Sequence, residues 1–295
     1  MAELHSIMFA GSAPSGSRAP SILRAARHEL PLGPTPDSWP GPDTFLSMVC
    51  RASGIDPACY RPSIFRRRHG ACLRAVRART AEAAIASVSA CRHDLELALS
   101  ALLIGVTAFF RDPFAFEALE RQLPRLTAHG HGLKVLSVGC SDGAELYSVA
   151  MLLAERGLLR DAELRGIDCR ASAVAAASSG RFSDAAVESL SIPRRSRFFV
   201  RERVGYTAAP ALRDACTWQV QNALELDGDG PGHDVVLCRN LAIYLTPDAS
   251  HQLWERLGRR VRPGGLLVTG KAERPGLPGF GRVGPCVFMR QEGGS

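Results

Sequence analysis

Four short apolar runs recur in the second half of the chain, each ending in a small or acidic residue. They read KVLSVG from residue 134, ELRGID from 163, HDVVLC from 233 and GGLLVTG from 264. Segments long enough to form a helix separate each run from the next. Short buried strands that alternate with helices are typical of a parallel sheet, so the pattern predicts an α/β fold.

Helical periodicity fills the gaps between these runs. Apolar positions predict a helix that begins near Gly143 and continues through 151–155, an alanine-rich helix over 171–178 and an amphipathic helix over 252–262. Residues 189–218 interrupt the alternation with the runs RFFV and CTWQV. Both runs have the pattern of short strands, so we predict a small antiparallel insertion there.

The part of the chain that precedes these strands has the pattern of a small helical domain. A helix is expected from an N-cap at Asp43 to the GIDP break at 54–57. Further apolar periodicity predicts a second helix over 62–86 and a third over 95–104. Residues 44–104 are therefore predicted to form an all-α domain.

Composition narrows the class of the whole protein. Of the 295 residues, 46% are hydrophobic and 22% are charged, which excludes a chain that is disordered throughout. Residues 1–43 hold seven prolines and are predicted to be a flexible leader, which leaves 105–295 as the α/β domain.

The chain has no run of eighteen apolar residues and no basic region with an apolar core at its N-terminus. We therefore expect a cytoplasmic protein without membrane insertion.

The cysteines do not have the spacing of a metal site. There are nine of them, and no two form a CxxC pair. Structural zinc needs clustered ligands at short spacing, so no metal is expected. We interpret the cysteines as reduced thiols, several of them buried.

The formal net charge of +7 comes almost entirely from arginine, since Lys134 and Lys271 are the only lysines. Much of it is concentrated before Glu82, at Arg61, Arg66, Arg67, Arg68, Arg74, Arg77 and Arg79. Apolar residues between these arginines predict an amphipathic helix with a basic face. Such a face favours an acidic partner, which could be nucleic acid, a membrane surface or an acidic protein, or it is simply solvated.

A glycine-rich turn follows the first predicted strand. Gly139 and Gly143 allow a tight turn and the close approach of a ligand to the free amides of the next helix. The turn lacks the full G-x-G-x-x-G of dinucleotide folds and the GK[ST] of phosphate loops, which disfavours a pyrophosphate ligand. Asp168, at the tip of the second strand, is placed to hold a ribose hydroxyl pair or to cap the helix that follows.

The third predicted strand ends in the polar segment CRNLAIY, residues 238–244. In open α/β sheets, ligands bind beyond the carboxyl ends of the strands. Asn240 and Tyr244 are therefore expected in the same crevice as Gly139 and Asp168. Taken alone, the segment is also consistent with a polar loop that closes a strand.

The segment LLIGVTAFFRDPFAF, residues 102–116, joins the two predicted domains. The adjacent Phe109 and Phe110 and the Asp-Pro turn follow an apolar helix, which is typical of a hinge. Arg111 within it is able to pair with a carboxylate.

Four segments in this order resemble the CheR family of S-adenosylmethionine-dependent methyltransferases. That family shows LLI-x-VT-x-FFRDP, a GCSTGEEPYS-like loop, an acid-ended second strand and a CRN-x-x-IYF segment. This chain reads LLIGVTAFFRDP, GCSDGAELYS, GID and CRNLAIYL, and PGGLLVTGKAE is similar to the family's PGG-x-L-x-x-GHSE ending. The resemblance covers about residues 44–290 and implies a Rossmann-like methyltransferase domain with a small antiparallel insertion, preceded by a small all-α domain.

The resemblance implies S-adenosylmethionine as the cofactor. The residues then expected to bind it are Thr107, Arg111, Gly139, Gly143, Glu145, Asp168, Asn222, Ala223, Arg239 and Asn240. Arg111 would lie near the carboxylate of the methionine end, and Asp168 at the ribose. Asn222 and the residue after it would lie near the adenine, while Arg239 and Asn240 would close the site.

The implied reaction is methyl transfer to glutamate side chains in the cytoplasmic coiled coil of a chemoreceptor, with Arg111 and Tyr244 as the catalytic residues. Tyr244 would face the reactive methyl group. A glutamate side chain has a pKa of about 4.3 and is already a carboxylate at neutral pH, so no general base or metal is required. The enzyme then has only to align the two reactants and to exclude water. Alignment alone lowers the activation barrier by roughly 7–11 kcal/mol.

The resemblance also gives the basic helix a role, because the family's N-terminal domain docks on glutamate-rich receptor helices. Electrostatic steering to such a surface needs clustered positive charge. The arginines expected to dock are Arg61, Arg66, Arg67, Arg68, Arg74 and Arg77.

The chain departs from the family pattern at several positions. Ala144 replaces an acid, Leu146 replaces a proline, and GHSE becomes the sequence GKAE over residues 270–273. These changes leave open a cofactor-binding relative with weak activity.

The stretch RERVG between RFFV and Tyr206 is compact, so we predict independence from a receptor C-terminal pentapeptide. The rival class is a nucleic-acid methyltransferase, but its [DN]PP[YF] motif is absent at residues 240–244.

Overall fold

The computed structural model describes residues 44–103, 105, 107–128, 130–227 and 232–292. The predicted leader, with the N-cap expected at Asp43, lies outside these residues. Within them, a group of helices is followed by a mixed α/β region. The predicted fold class is confirmed.

The N-terminal part consists of four helices that share one core. They are α1 (Thr44–Ala52), α2 (Pro62–Ala75), α3 (Ala81–Ala90) and α4 (Arg92–Leu102). Phe45, Ile64 and Leu99 are buried in that core. The second helix predicted over residues 62–86 is in fact two helices. Thr80 starts the new one, because its hydroxyl accepts a hydrogen bond from the Ala83 N–H at 3.3 Å and caps the first turn.

A seven-stranded sheet forms the centre of the remaining part. Its strands, numbered along the chain, are β1 (Lys134–Val138), β2 (Glu163–Asp168), β6 (Cys216–Val220), β7 (His233–Cys238), β8 (Val261–Thr269), β9 (Phe280–Gly284) and β10 (Val287–Arg290). The order is β6-β2-β1-β7-β8-β10-β9. The first five strands of that order are parallel, whereas β10 runs antiparallel to both of its neighbours.

Four longer helices accompany the sheet: α5 (Pro113–Leu126), α6 (Ala144–Glu155), α7 (Ala171–Ser179) and α11 (Pro247–Arg260). The strand order has one consequence for binding. From β1 the chain moves outward through β2 to β6, and it then returns to the other side of β1 with β7. The carboxyl ends of β1 and β7 therefore flank a topological switch point, where α/β sheets leave a crevice for ligands.

The antiparallel insertion is a three-stranded sheet in the order β3-β5-β4. Its strands and the short helices around it are β3 (Arg181–Phe182), α8 (Asp184–Val187), α9 (Ile192–Phe198), β4 (Phe199–Arg201), β5 (Tyr206–Ala208) and α10 (Pro210–Asp214). Phe182 and Phe199 pack edge-on against Phe109, which anchors this sheet to the segment before α5. No helix among the described residues is long and apolar enough to cross a membrane.

The prediction that CTWQV belongs to this insertion is wrong. Cys216–Val220 is β6, which pairs in parallel with β2 at the edge of the main sheet. An edge strand is covered less completely than a central one, so its buried and exposed positions mimic the alternation of an antiparallel strand. The small sheet therefore spans 181–208 and not 189–218.

Candidate cofactor and active site

A cavity of about 300 Å³ lies at the carboxyl ends of β1, β2 and β7. The residues of the sequence prediction that line it are Thr107, Arg111, Gly139, Glu145, Asp168, Asn222, Ala223, Arg239, Asn240 and Tyr244. They come from five separate segments of the chain. The fold thus brings these segments together at the switch point of the sheet.

The two glycines of the turn after β1 have different surroundings. Gly139 lines the cavity with φ +69°, and a Cβ there would lie 2.6 Å from Leu241 Cδ1. Gly143 has φ +87° at the N-cap of α6, and a Cβ would lie 2.6 Å from the ring of Trp218. Only Gly139 is among the cavity-lining residues. Gly143 instead lets the start of α6 pack closely on β6.

Asp168 ends β2 with a buried carboxylate, but this carboxylate is already paired. Its Oδ1 accepts hydrogen bonds from the N–H and the Nε of Arg170, both at 3.0 Å. Its Oδ2 accepts from the Ser141 N–H at 3.0 Å and from a terminal nitrogen of Arg170 at 3.1 Å. Arg170 lines the same cavity and was not identified from the sequence.

Arg239 connects three parts of the site. Its side chain is 2% exposed and donates to Glu145 Oε2 at 3.2 Å, to Asp112 Oδ2 at 2.9 Å and to the Arg111 carbonyl at 2.5 Å. The Arg111 segment needs such an anchor, because Phe110 and Asp112 on either side have positive φ. Strained backbone of this kind persists only where the surroundings impose it.

Glu273 supports the loop after β7 and was missed as a site residue. Its carboxylate is 4% exposed and accepts four backbone N–H groups, at 2.7–3.0 Å. The donors are Asn240, Leu241, Ala242 and Gly270. Asn240 has φ +58°, so Glu273 holds the strained turn that carries Asn240 and Tyr244. The sequence did contain one signal for Glu273. It keeps the glutamate of the family's GHSE ending, although Lys271 and Ala272 before it differ from that ending.

The helical part also contributes to the cavity wall. Tyr60, just before α2, lines the cavity and forms a β-bridge with Leu245. The N–H of Arg61 donates to the Tyr244 carbonyl at 3.0 Å. Asn222 Nδ2 donates to the Gly54 carbonyl at 3.3 Å. The predicted docking part is therefore bonded directly to the loops that carry Tyr244 and Asn222.

The predicted docking arginines divide into two groups. Arg66, Arg67, Arg74 and Arg77 are exposed, as is Arg61. Arg68 is half-buried, and its Nε donates to the Ala101 carbonyl at 2.8 Å. The Nε of Arg61 donates to the Leu245 carbonyl at 2.8 Å. Arg61 and Arg68 therefore use their guanidinium groups to join segments of the chain.

The described residues of the site include no group that would act as a base or a nucleophile at neutral pH. No histidine is found among the described residues that line the cavity. Burial raises the pKa of Cys169 to about 12 and that of Cys140 well above its usual value. Burial likewise raises the pKa of Tyr60. These groups are thus protonated at neutral pH, and within the described residues no cluster of His, Cys, Asp or Glu is placed to hold a metal ion.

The chain is similar in sequence to known methyltransferases. The family model "CheR methyltransferase, SAM binding domain" matches residues 105–278. The chain is 32% identical over 178 residues to a chemotaxis protein methyltransferase of Listeria monocytogenes, covering 60% of this chain and 68% of the relative. It is 32% identical over 188 residues to a probable biofilm formation methyltransferase, WspC, of Pseudomonas aeruginosa, covering 61% of this chain and 44% of the relative.

Among solved structures, the glycopeptide N-methyltransferase MtfA with bound S-adenosylmethionine is similar at 17% identity and a TM-score of 0.33, over 57% of this chain and 58% of that one. The family match and the α/β sheet define an S-adenosylmethionine-dependent methyltransferase, with S-adenosylmethionine as its cofactor. More narrowly, the chain belongs to the CheR methyltransferase family.

Proposed function

We propose that this protein is a protein-glutamate O-methyltransferase that methylates the cytoplasmic helices of a chemoreceptor. The lack of a base among the described residues that line the cavity is the observation that carries the proposal. Glu145 and Asp168 are engaged with arginines, and the lining thiols are protonated. An amine or alcohol substrate would need deprotonation, whereas a carboxylate does not, because its pKa is about 4.3. The names of relatives, such as the Listeria chemotaxis protein methyltransferase, support the same substrate.

The cavity has the features that S-adenosylmethionine requires. Its volume of about 300 Å³ lies at the lower end of the usual range for small-molecule sites. The buried Nε of Arg239 has no hydrogen-bond partner among the described residues, which leaves a donor for an acidic group. Asp168 and Asn222 line the cavity on the side proposed for the adenosine. We assign the ribose to Asp168, the adenine to Asn222 and Ala223, and the methionine end to Thr107, Arg111 and Glu145.

The protein's part in the reaction is alignment. The cofactor supplies a methyl group on a sulfonium that is already a good leaving group. Arg111 would orient the methionine end from its strained segment, while Tyr244 would face the methyl group from the turn held by Glu273. The substrate carboxylate then needs only to be held in line and shielded from water.

Labelled cofactor provides the direct test of this function. We expect purified protein to transfer label from S-adenosylmethionine to membranes that carry a chemoreceptor, and to release it as volatile methanol after treatment with base. That release identifies a carboxyl ester. Label in nucleic acid, or base-stable label in protein, would contradict the proposal.

The Tyr244→Phe variant separates catalysis from cofactor binding. Tyr244 lines the cavity but has been assigned to the methyl group rather than to the cofactor's anchoring groups. We expect turnover to fall about tenfold while the Kd of S-adenosylhomocysteine stays within about twofold. Tyr206→Phe, on the small sheet, is the matched control and should leave both unchanged. A rise of the Kd that parallels the loss of turnover would argue against this assignment.

The exposed arginines of α2 are proposed to steer the protein to its substrate. Arg67 and Arg74 are seven residues apart on α2 and therefore share one side of the helix. We expect Arg67→Glu/Arg74→Glu to raise the KM for receptor about tenfold and to weaken its salt dependence, without changing the Kd of the cofactor. The matched reversal Arg160→Glu/Arg259→Glu, at exposed positions away from the cavity, should have little effect. Equal effects of the two double charge reversals would show that the net charge of the protein matters and that the position of the arginines on α2 does not.

Independence from a receptor C-terminal pentapeptide is a further part of the proposal. The four residues of the β4–β5 hairpin, 202–205, are closed by a hydrogen bond from the Glu202 N–H to the Gly205 carbonyl at 3.1 Å. Such a compact loop supports the absence of a peptide grip. Calorimetry with a receptor-tail pentapeptide should show no binding, and a measurable heat of binding would refute this part.

A further inference from the structure

The carboxylate of Asp168 has no acceptor position left for a ligand. A carboxylate offers about four lone-pair positions. Arg170 fills three of them through its N–H, its Nε and a terminal nitrogen, and the Ser141 N–H fills the fourth. The Asp168 and Arg170 side chains are 5% and 10% exposed. A ribose hydroxyl can donate to Asp168 only if the guanidinium of Arg170 moves away.

Arg170 occupies this place against local preference. It is the N-cap residue of α7, a position that favours Ser, Thr, Asp or Asn, and it makes no side-chain capping bond. A cation at this end of a helix is also disfavoured by the helix dipole. Residues that break local rules while forming well-organised contacts are found at functional sites.

The surroundings of Arg170 are built to accept its guanidinium. One terminal nitrogen donates to the Leu103 carbonyl at 3.1 Å, and the other donates to Ser141 Oγ at 3.2 Å. Gly105 lies directly against it, since a Cβ at that position would be 2.6 Å from both terminal nitrogens. The segment between α4 and α5 therefore leaves room for the guanidinium by having no side chain there.

We propose that Arg170 competes internally with the ribose of the cofactor and so determines cofactor affinity. This inference rests on the proposed role of Asp168 in binding the ribose hydroxyls. Binding would exchange the two hydrogen bonds from the Arg170 guanidinium to Asp168 for those of the hydroxyl pair, so part of the interaction energy is spent on breaking an existing ion pair. The measured affinity is then lower than the same cavity would give without Arg170.

The Arg170→Met variant tests this directly, since methionine keeps an unbranched chain but removes every donor. We expect the Kd of S-adenosylhomocysteine, measured by calorimetry at fixed salt, to fall about tenfold. Arg156→Met, at a partly exposed ion pair with Glu120, is the matched control and should leave the Kd unchanged. An unchanged or higher Kd in a folded Arg170→Met protein would overturn the proposal.

An analogue of S-adenosylhomocysteine without the 2′- and 3′-hydroxyls gives a readout that a purely structural role would not change. In the wild-type protein, Arg170 can stay on Asp168 when the hydroxyls are absent, so their removal should weaken binding less than tenfold. In Arg170→Met, removal leaves the buried carboxylate with only the backbone N–H groups of residues 141 and 170 as donors, and it should cost more than it does in the wild type. A wild-type loss of tenfold or more, or equal losses in both proteins, would overturn the proposal. The wild-type arm does not depend on the variant being able to fold.

The Asp168→Ala variant distinguishes failure of this inference from failure of the proposed site. If Asp168→Ala loses S-adenosylhomocysteine binding but Arg170→Met binds no more tightly than wild type, only the competition is refuted. If Asp168→Ala binds S-adenosylhomocysteine as well as wild type does, both the ribose assignment and the proposed competition are refuted. Carboxyl methylation of the receptor is tested separately, by the release of methanol after treatment with base.

Discussion

Replacement of Glu273 by glutamine is expected to destabilise the protein by about 3–5 kcal/mol and to remove most of its methyl transfer. The carboxylate accepts four backbone N–H groups in a buried position. Glutamine replaces one acceptor oxygen with an NH₂ donor, which would face two of those N–H groups. Each buried donor left unpaired costs about 1–3 kcal/mol, so two of them cost about 2–6 kcal/mol, and the expected loss lies in the middle of that range.

Activity should fall together with stability because the donors belong to the cavity. Asn240 and Leu241 both line it, and the same turn carries Tyr244. Urea unfolding gives the stability change, and transfer assays well below the unfolding midpoint give the turnover. Glu255→Gln, on the exposed side of α11, is the matched control and should change stability by less than about 0.5 kcal/mol. A Glu273→Gln protein as stable as wild type would show that the loop does not depend on this carboxylate.

The sequence predicts best those strands and loops whose own residues form a recognisable pattern. The four apolar runs are strands of the main sheet, and the segments after the first three of them line one cavity. Parallel strands are covered on both faces, so they appear as continuous apolar runs that are easy to find. The loops at their carboxyl ends then have to converge, whatever their detailed conformation.

The sequence was least informative where a residue's role depends on a distant partner. Arg170 follows Asp168 by two positions, but its hydrogen bond to Leu103 and its close approach to Gly105 depend on how the helical part packs. Glu273 reaches residues more than thirty positions away. No local pattern encodes such contacts, because a buried carboxylate takes whichever backbone donors tertiary packing brings to it.

The basic face of the helical part shows the same limitation. Its arginines look alike in the sequence, but Arg61 and Arg68 bind backbone carbonyls of Leu245 and Ala101. Helical periodicity predicts which residues share a face, but it does not predict which guanidinium meets a carbonyl of another segment. The part of the face available to a partner is accordingly smaller than the count of arginines suggests.

The Arg239→Lys variant is expected to raise the cofactor Kd by at least about tenfold and to lower turnover about a hundredfold, although the charge is conserved. Arginine presents its donors in a fixed planar fork, and Arg239 uses that fork to bind Glu145, Asp112 and the Arg111 carbonyl together. A lysine ammonium is a single point and cannot reach all three. Breaking one side of a buried ion pair typically costs about 3–5 kcal/mol.

The loss should appear in binding and catalysis because Arg239 acts on both. It holds Glu145, which is assigned to the methionine end, and it fixes the strained segment that presents Arg111. Arg262→Lys is the matched control, since Arg262 pairs with the buried Asp234 at 2.5 Å and does not line the cavity. That variant should lower stability and leave the cofactor Kd unchanged. If Arg239→Lys also kept the Kd and turnover within about threefold of wild type, the geometry of the site would depend on the charge of residue 239 alone and not on its fork.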